Sequence, residues 1–453
     1  MKRVQKLLCM YYFKVTFTFC VALIIIVSGC NSIIHFKQIQ SQLQTQPKVQ
    51  ASSYRTFADW CVNKTNLTLS TRHTIELLLR DVETTDCAQA NKKLSSRTEL
   101  SIEGSQLVDL SPFSSFKILR KLTLSVNNIS DISPLSSLTN LTVLKLDRNH
   151  TISDITPLKH LTNLTELALF GNQISDIAPL KDLTKLTVLE LRYNQIKSLN
   201  NLNNLNNLTK LSLTGNQVSN VNPLKSLTHL TYLSLDANKI FDINPLKFLN
   251  KLRKLYLQKN QISDISPLKS LTNLNTLFIN TNQISDISPL QFLTNLTTLY
   301  IFENQISDIS SLRFMTKLKK VDLAHNKIFD LSRLSGINLT SLELTNNHIS
   351  DVRSLKFMKS LTVLSLADNQ ISDISPLKSL TKLTELYLSE NQISDVSVLK
   401  SLTSLRRLDL ANNLISDISM LKTLIYILEV YLEGNPLTNR NCPWGYDFRC
   451  RYE

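Results

Sequence analysis

Glycine is scarce in this chain, at 7 residues in 453, beside 12 prolines and with 42% hydrophobic and 19% charged residues. That apolar content excludes a wholly disordered chain, and so little glycine excludes a collagenous one. The same scarcity leaves little for the varied turns and phosphate-cradling loops on which many enzymes depend. Catalytic motifs are missing too. There is no HExxH, no GxSxG and no CxxC pair, and the seven histidines (His35, His73, His150, His160, His229, His325 and His348) are scattered. Hence no catalytic residue, no cofactor and no metal site is assigned, and no nucleic-acid-binding module is recognised. At ordinary domain sizes the length would suggest about three domains, but one small architecture repeated many times fits the composition better.

The net charge is +14, from 50 Lys plus Arg against 36 Asp plus Glu, which permits an anionic partner without requiring one. Four cations, Lys2, Arg3, Lys6 and Lys14, precede an apolar run from Val15 to Val27 that ends in Ser28-Gly29-Cys30. A basic stretch, a short apolar core and small residues together read as a secretory signal peptide over residues 1–29. The run is short for a bilayer span. Val27-Ser28-Gly29-Cys30 also resembles the bacterial lipobox, which would make Cys30 the lipidated N-terminus of an exported, membrane-anchored lipoprotein. A plainly cleaved signal and a retained anchor are the alternatives. Residues 30–55, Gln-rich from Lys37 to Gln50, read as a flexible polar tether.

A fixed period dominates the rest. The Asn of a Leu-x-Leu-x-x-Asn-x-Ile pattern recurs through Asn127, Asn149, Asn172 and Asn194 to Asn435, and Ser105 holds its place in an earlier, degenerate copy. From 105 to 435 is 330 residues in fifteen steps, a mean of 22. One copy is a residue longer at Asn149-His150-Thr151-Ile152 and one is a residue shorter around Gly336. Paired apolar positions such as Leu255 and Leu257 alternate with exposed ones, which predicts a short strand with one face inward. The marker Asn is expected to satisfy turn backbone as a stacked ladder, while Ile, Pro and the later Leu residues fill the core.

This unit matches the leucine-rich repeat. The expected fold is a leucine-rich-repeat solenoid of the α/β-type horseshoe, with a parallel concave sheet and short 3-10 or irregular convex segments, over residues 95–437 in about sixteen copies. Residues 56–94 lack the repeat and predict a helical N-terminal cap. Ser70 is the expected N-cap of a helix with Ile75, Leu78 and Leu79 on one face, and Asp86 starts another. Residues 438–453, after Gly434-Asn435-Pro436, form the C-terminal cap. Cys9 and Cys20 lie inside the signal and Cys30 at its end, leaving Cys61, Cys87, Cys442 and Cys450. Four cysteines permit three pairings, but two lie before the repeats and two after, so Cys61 with Cys87 and Cys442 with Cys450 are expected. Such bridges imply an oxidising compartment, the alternative being four buried thiols in the cytosol.

The unit carrying Ser-Asp-Ile-Ser-Pro-Leu resembles the repeats of bacterial internalin-type surface proteins. The flanks Thr56-Phe-Ala-Asp-Trp-Cys, Thr85-Asp86-Cys87 and Gly434-Asn-Pro-Leu with Cys442-Pro443 resemble exported leucine-rich-repeat proteins common in cyanobacteria. The resemblance implies binding to a protein or glycan rather than catalysis, and names no ligand. An intracellular regulatory scaffold resembling the phosphatase-1 regulatory subunit is the alternative function.

The residue four before each marker Asn should point outward from the concave sheet. That column gives Tyr256, Phe278 and Tyr300 in successive copies, with Tyr232 and Phe302 in the flanking columns, a concentration of rings in a chain only 7% aromatic. These five are the expected partner-binding residues, since rings give large contact area at low entropic cost. Lys121, Lys145, Glu166, Glu190 and Arg192 lie to one side and Lys320, Asp322, Glu343, Arg407, Asp409 and Glu429 to the other, read as a solvated face. Four after the marker comes an Asp column, such as Asp264 and Asp286, expected to cap turns rather than hold calcium. Five residues further runs a cationic column, such as Lys247, Lys269 and Arg313, expected to serve solubility.

Overall fold

The computed structural model describes residues 54–334, 336–445 and 449–452. The signal segment 1–29, Cys30 and the tether up to residue 53 lie outside the described residues. Two compact units divide the chain, one ending at Lys92 and one starting at Lys93.

Three helices build the first unit: α1 (Phe57–Val62), α2 (Leu69–Asp81) and α3 (Cys87–Ser95). Thr56 and Asp59 form a reciprocal capping box at α1, and the backbone N–H groups of Thr56 and Arg55 hold the Asp59 carboxyl below its ordinary range. The N-cap of α2 is Thr68, two residues before the expected Ser70, because the Thr68 hydroxyl accepts the N–H of Thr71 at 3.2 Å. Ser70 therefore lies inside the helix. Asp86 caps α3 by accepting from Ala88 and Gln89 at 2.8 and 2.9 Å. Phe57, Trp60, Ile75 and Leu78 form the unit's core, and the Cys61–Cys87 disulfide ties α1 to α3.

The second unit is a leucine-rich-repeat solenoid with a seventeen-stranded parallel sheet, in which strands of successive copies lie side by side. Each of the first sixteen strands is three residues long and puts its middle side chain inward, as in Lys254–Tyr256. In that copy Leu255, Leu257, Ile262, Ile265, Leu268, Leu271 and Leu274 are all at most 1% exposed. The core is thus a set of continuous aliphatic columns, and no copy could bury its own without neighbours.

The marker asparagines form the expected ladder. Asn238 accepts the N–H of Val218 at 2.9 Å and donates to the carbonyls of Leu213, Leu235 and Asp236 at 3.0, 3.0 and 3.1 Å, so one amide stitches two copies together. A second ladder runs at the strand entrance, where Thr165, Thr187 and Thr209 each donate to the carbonyl of the threonine one copy earlier, at 3.0, 3.0 and 3.1 Å. On the far side each copy makes a 3-10 turn such as Ser266–Ser270. The preceding Asp264 accepts the Ser266 N–H at 2.8 Å, and Asp286 and Asp308 do the same for Ser288 and Ser310. Proline fits the second position of these turns in nine copies, where its fixed φ suits the turn and no N–H is needed. The Asp column therefore caps turns, and the described residues hold no cluster able to ligate a metal.

The residue just before each marker Asn takes a left-handed conformation, including Val126 at φ 60°, Lys259 at 55° and Thr281 at 56°. Glycine occupies this column at Gly104, Gly171, Gly215 and Gly434, which accounts for four of the chain's seven. The long copy absorbs its extra residue by making both Arg148 and His150 left-handed, and the short copy turns at Gly336 with φ 96°. At the C-terminal end strand Cys450–Arg451 pairs with strand Glu429–Tyr431, and Cys442–Cys450 closes the loop that delivers it.

Candidate interaction face on the sheet

Outward strand positions four before the marker align side chains of neighbouring copies, because parallel pairing sets Tyr256 opposite Phe278 and Phe278 opposite Tyr300. Their ring centroids are 5.0 and 4.4 Å apart. Tyr232 stands in the flanking column, paired in register with Lys254, and reaches diagonally to Tyr256 at 5.3 Å. A four-ring stack thus crosses four copies, each ring half-buried by its neighbours. Phe302, half-buried, occupies the other flanking column beside it. Burial pushes the Tyr232 hydroxyl up to about 12, with the neighbouring Tyr256 adding to it, and burial raises Tyr256 and Tyr300 as well. The phenols stay neutral at physiological pH.

The polar groups around the stack are unusual for a solvated face. Asp236 is only 8% exposed, and its Oδ2 accepts from Ser234 at 2.8 Å and Thr214 at 3.1 Å while its Oδ1 has no hydrogen-bond partner. Burial raises its carboxyl to about 6 against those hydrogen bonds. At the other end of the stack Asp322 is raised to about 7, first by burial and then by repulsion from Glu343 and Glu303. A folded-state carboxyl titrating near 7 keeps its proton when an unfolded one, titrating near 4, has lost it. The contribution of this group to stability therefore falls as pH rises from about 4 to about 7. Asp322→Asn is expected to raise Tm at pH 7.5 by about 2 °C or more and to leave it unchanged near pH 4, as followed by circular dichroism.

Sequence reasoning missed a second cluster. Phe170 and Tyr193 approach to 5.5 Å, and the guanidiniums of Arg148 and Arg192 sit 5.2 and 5.0 Å from the Phe170 ring. Phe170 lies two before its marker and Tyr193 one before its own, so a single-column reading separates them; reading the two columns together would have found the pair. At Gly215 a Cβ would lie 2.5 Å from the Tyr193 ring, so a larger residue there would displace that ring. Around this cluster charges are paired, with Lys145–Glu166 at 2.8 Å, Lys210–Glu190 at 2.7 Å and Arg192–Glu190 at 3.1 Å. Such exposed pairs contribute at most about 1 kcal/mol each. On the 3-10 side Lys247, Arg313 and Lys356 lie over the exposed rings of Phe248, Phe314 and Phe357 at 4.6 to 5.3 Å.

A family model for Leucine Rich repeats (2 copies) matches residues 119–160, 162–204, 250–291, 294–336, 337–379 and 381–423, more than half of the chain. No curated protein sequence matches. Among solved structures, an internalin of Listeria monocytogenes is 32% identical with a TM-score of 0.57, covering 81% of this chain and 95% of its own. A leucine-rich-repeat protein of Leptospira interrogans is 24% identical with a TM-score of 0.71, covering 78% of this chain and 94% of its own. The plant peptide hormone receptor RGFR1, in complex with RGF2, shares the fold at 23% identity and a TM-score of 0.61, covering 75% of this chain and 64% of its own.

Proposed function

Because this chain belongs to the leucine-rich-repeat family, we propose that it is a non-catalytic scaffold that binds a protein or glycan on its sheet face, outside the cytoplasm. The observation that carries this reading is the stack of Tyr232, Tyr256, Phe278 and Tyr300, with Phe302 beside it, on the open sheet face. Aromatic anchors of this kind concentrate binding energy at interface centres. RGF2 on the plant receptor is an instance of this fold holding a ligand. Tyr256→Ser, Phe278→Ser and Tyr300→Ser combined should abolish affinity capture of the partner while the far-ultraviolet spectrum and the cooperative transition persist. Capture unaltered by the triple change would defeat the assignment.

Export rests on residues outside the described ones, with residues 1–29 as the signal and Cys30 as the lipid attachment point. Internalin likeness and the two disulfides support an oxidising, extracytoplasmic location. Mass spectrometry of the mature N-terminus is expected to find a lipid-modified Cys30; an unmodified residue elsewhere would remove the lipoprotein reading.

A further inference from the structure

The sheet face is electrically two-sided. From strand Lys121–Thr123 to strand Lys254–Tyr256 its charges are mixed and largely paired. Beyond the aromatic stack the balance tips. Between Lys320 and Tyr431 the outward strand positions carry Asp322, Glu343, Glu385, Asp409 and Glu429 against Lys320 and Arg407. Immediately after the strands come four more carboxylates, Glu303, Asp368, Glu390 and Glu433, and the sheet's last strand adds one cation, Arg451. Nine carboxylates therefore face three cations, in a chain whose overall balance is +14. Among the described residues only Glu385 and Glu429 of these nine make ion pairs, with Arg407 at 3.5 Å and Arg451 at 3.6 Å.

We propose that this late half of the sheet face docks a cationic polypeptide segment, whose Lys and Arg side chains meet the carboxylates while a neighbouring apolar residue lies on the four-ring stack. This rests on the sheet-face reading above and adds the chemistry of the partner. Three observations converge on it. Burial first opposes ionisation of Asp322 and Asp409, and the charges of Glu343 and Glu303 on the one and of Glu433 and Glu390 on the other add to it, so an arriving cation relieves repulsion already present. The aromatic stack borders the acidic half directly, Tyr300 being paired in register with Asp322, which gives the same partner an apolar anchor. At the stack's other end Asp236 holds a buried oxygen with no hydrogen-bond partner, continuing acceptor chemistry past the rings. Selection follows from geometry of charge. Salt screens the cationic rows of the 3-10 side beyond about 8 Å, so a basic segment feels the sheet face locally, whereas an anionic polymer is repelled from it.

The probe is a short lysine-rich peptide carrying one Trp, followed by fluorescence anisotropy on the full chain over a salt series. Wild type should bind it with affinity that falls steeply with salt. Asp322→Asn, Glu343→Gln, Glu385→Gln and Asp409→Asn combined should weaken binding by about tenfold or more, since four charge contacts are lost together. The changes at Asp322, Glu343 and Asp409 remove crowded charge while Glu385→Gln gives up the pair with Arg407, so the variant should fold about as well as wild type, as circular dichroism checks. Glu166→Gln with Asp147→Asn, in the early half, should leave affinity unchanged. The aromatic triple variant separates the two claims: reduced binding there with undiminished binding in the late-face variant overturns the cationic partner and leaves the sheet-face reading intact. Equal loss in the early-half variant, or binding insensitive to salt, also overturns the proposal. Preferential binding of an anionic polysaccharide to the sheet face, lost in the aromatic variant, would do the same.

Discussion

Asn238→Leu is expected to split the cooperative unfolding of the solenoid and to lower its stability by about 2 kcal/mol. Leucine nearly matches asparagine in size, so the core columns are not the issue. The loss is polar: the buried N–H of Val218 loses its acceptor, and the carbonyls of Leu213, Leu235 and Asp236 lose a donor. A buried polar group left without its partner costs about 1–3 kcal/mol, and the Val218 N–H is stranded outright, while the carbonyls of Leu213, Leu235 and Asp236 keep Asn216, Asn260 and Gly215 as donors. The damage also falls on the junction between copies, where a solenoid carries its cooperativity. Urea titration followed by circular dichroism should show two separated transitions where wild type shows one. A single transition with an unmoved midpoint would mean that the ladder is incidental to stability.

Cys61→Ser with Cys87→Ser is expected to unfold the N-terminal helical unit outright. The bridge closes a loop of 26 residues, for which the chain-entropy model gives about 3.5 kcal/mol. The described part of the unit, residues 54–92, is close to the size at which a hydrophobic core alone no longer suffices. Hydrogen exchange should show α2, with Ile75 and Leu78 at its centre, exchanging at rates of an open chain while the strands of the repeats keep their protection. The Cys442–Cys450 bridge spans only 8 residues, so its removal should cost less, about 2.5 kcal/mol. Retained protection in α2 would show that capping at Thr56, Thr68 and Asp86 holds the unit without its staple.

Much of this fold was legible in the sequence because its period writes the same physics repeatedly. Leu255 and Leu257 gave the inward strand side, Asn238 the ladder and Asp264 the turn cap, each from a residue type whose chemistry has one sensible use there. The left-handed column was not legible, since Val126, Lys259 and Thr281 occupy it as readily as Gly215; the ladder on one side and the strand on the other impose the conformation whatever the side chain. The threonine ladder escaped for the opposite reason, as threonine is common and its hydroxyl has many uses. The aromatic stack was visible as a column, but the diagonal from Tyr232 to Tyr256 needed the strand register. The charge asymmetry hid in plain view: Glu303, Asp368 and Glu390 lie outside the column that defines the strand and join the face only in three dimensions.

The stitches between copies in the asparagine ladder join residues 19 to 26 apart along the chain. Set against 453 residues, that is a relative contact order of roughly 0.05, below that of most helical bundles. A parallel sheet of seventeen strands would ordinarily be slow to assemble, yet here no strand waits for a distant partner. On a ribosome adding about 5–20 residues per second, a new copy emerges every few seconds and can lay itself on the one before it. The sheet can therefore grow from its N-terminal end during synthesis, with the newest edge as the one exposed at any moment. Strand Cys450–Arg451, the seventeenth in chain order, covers the edge that strand Glu429–Tyr431 would otherwise expose.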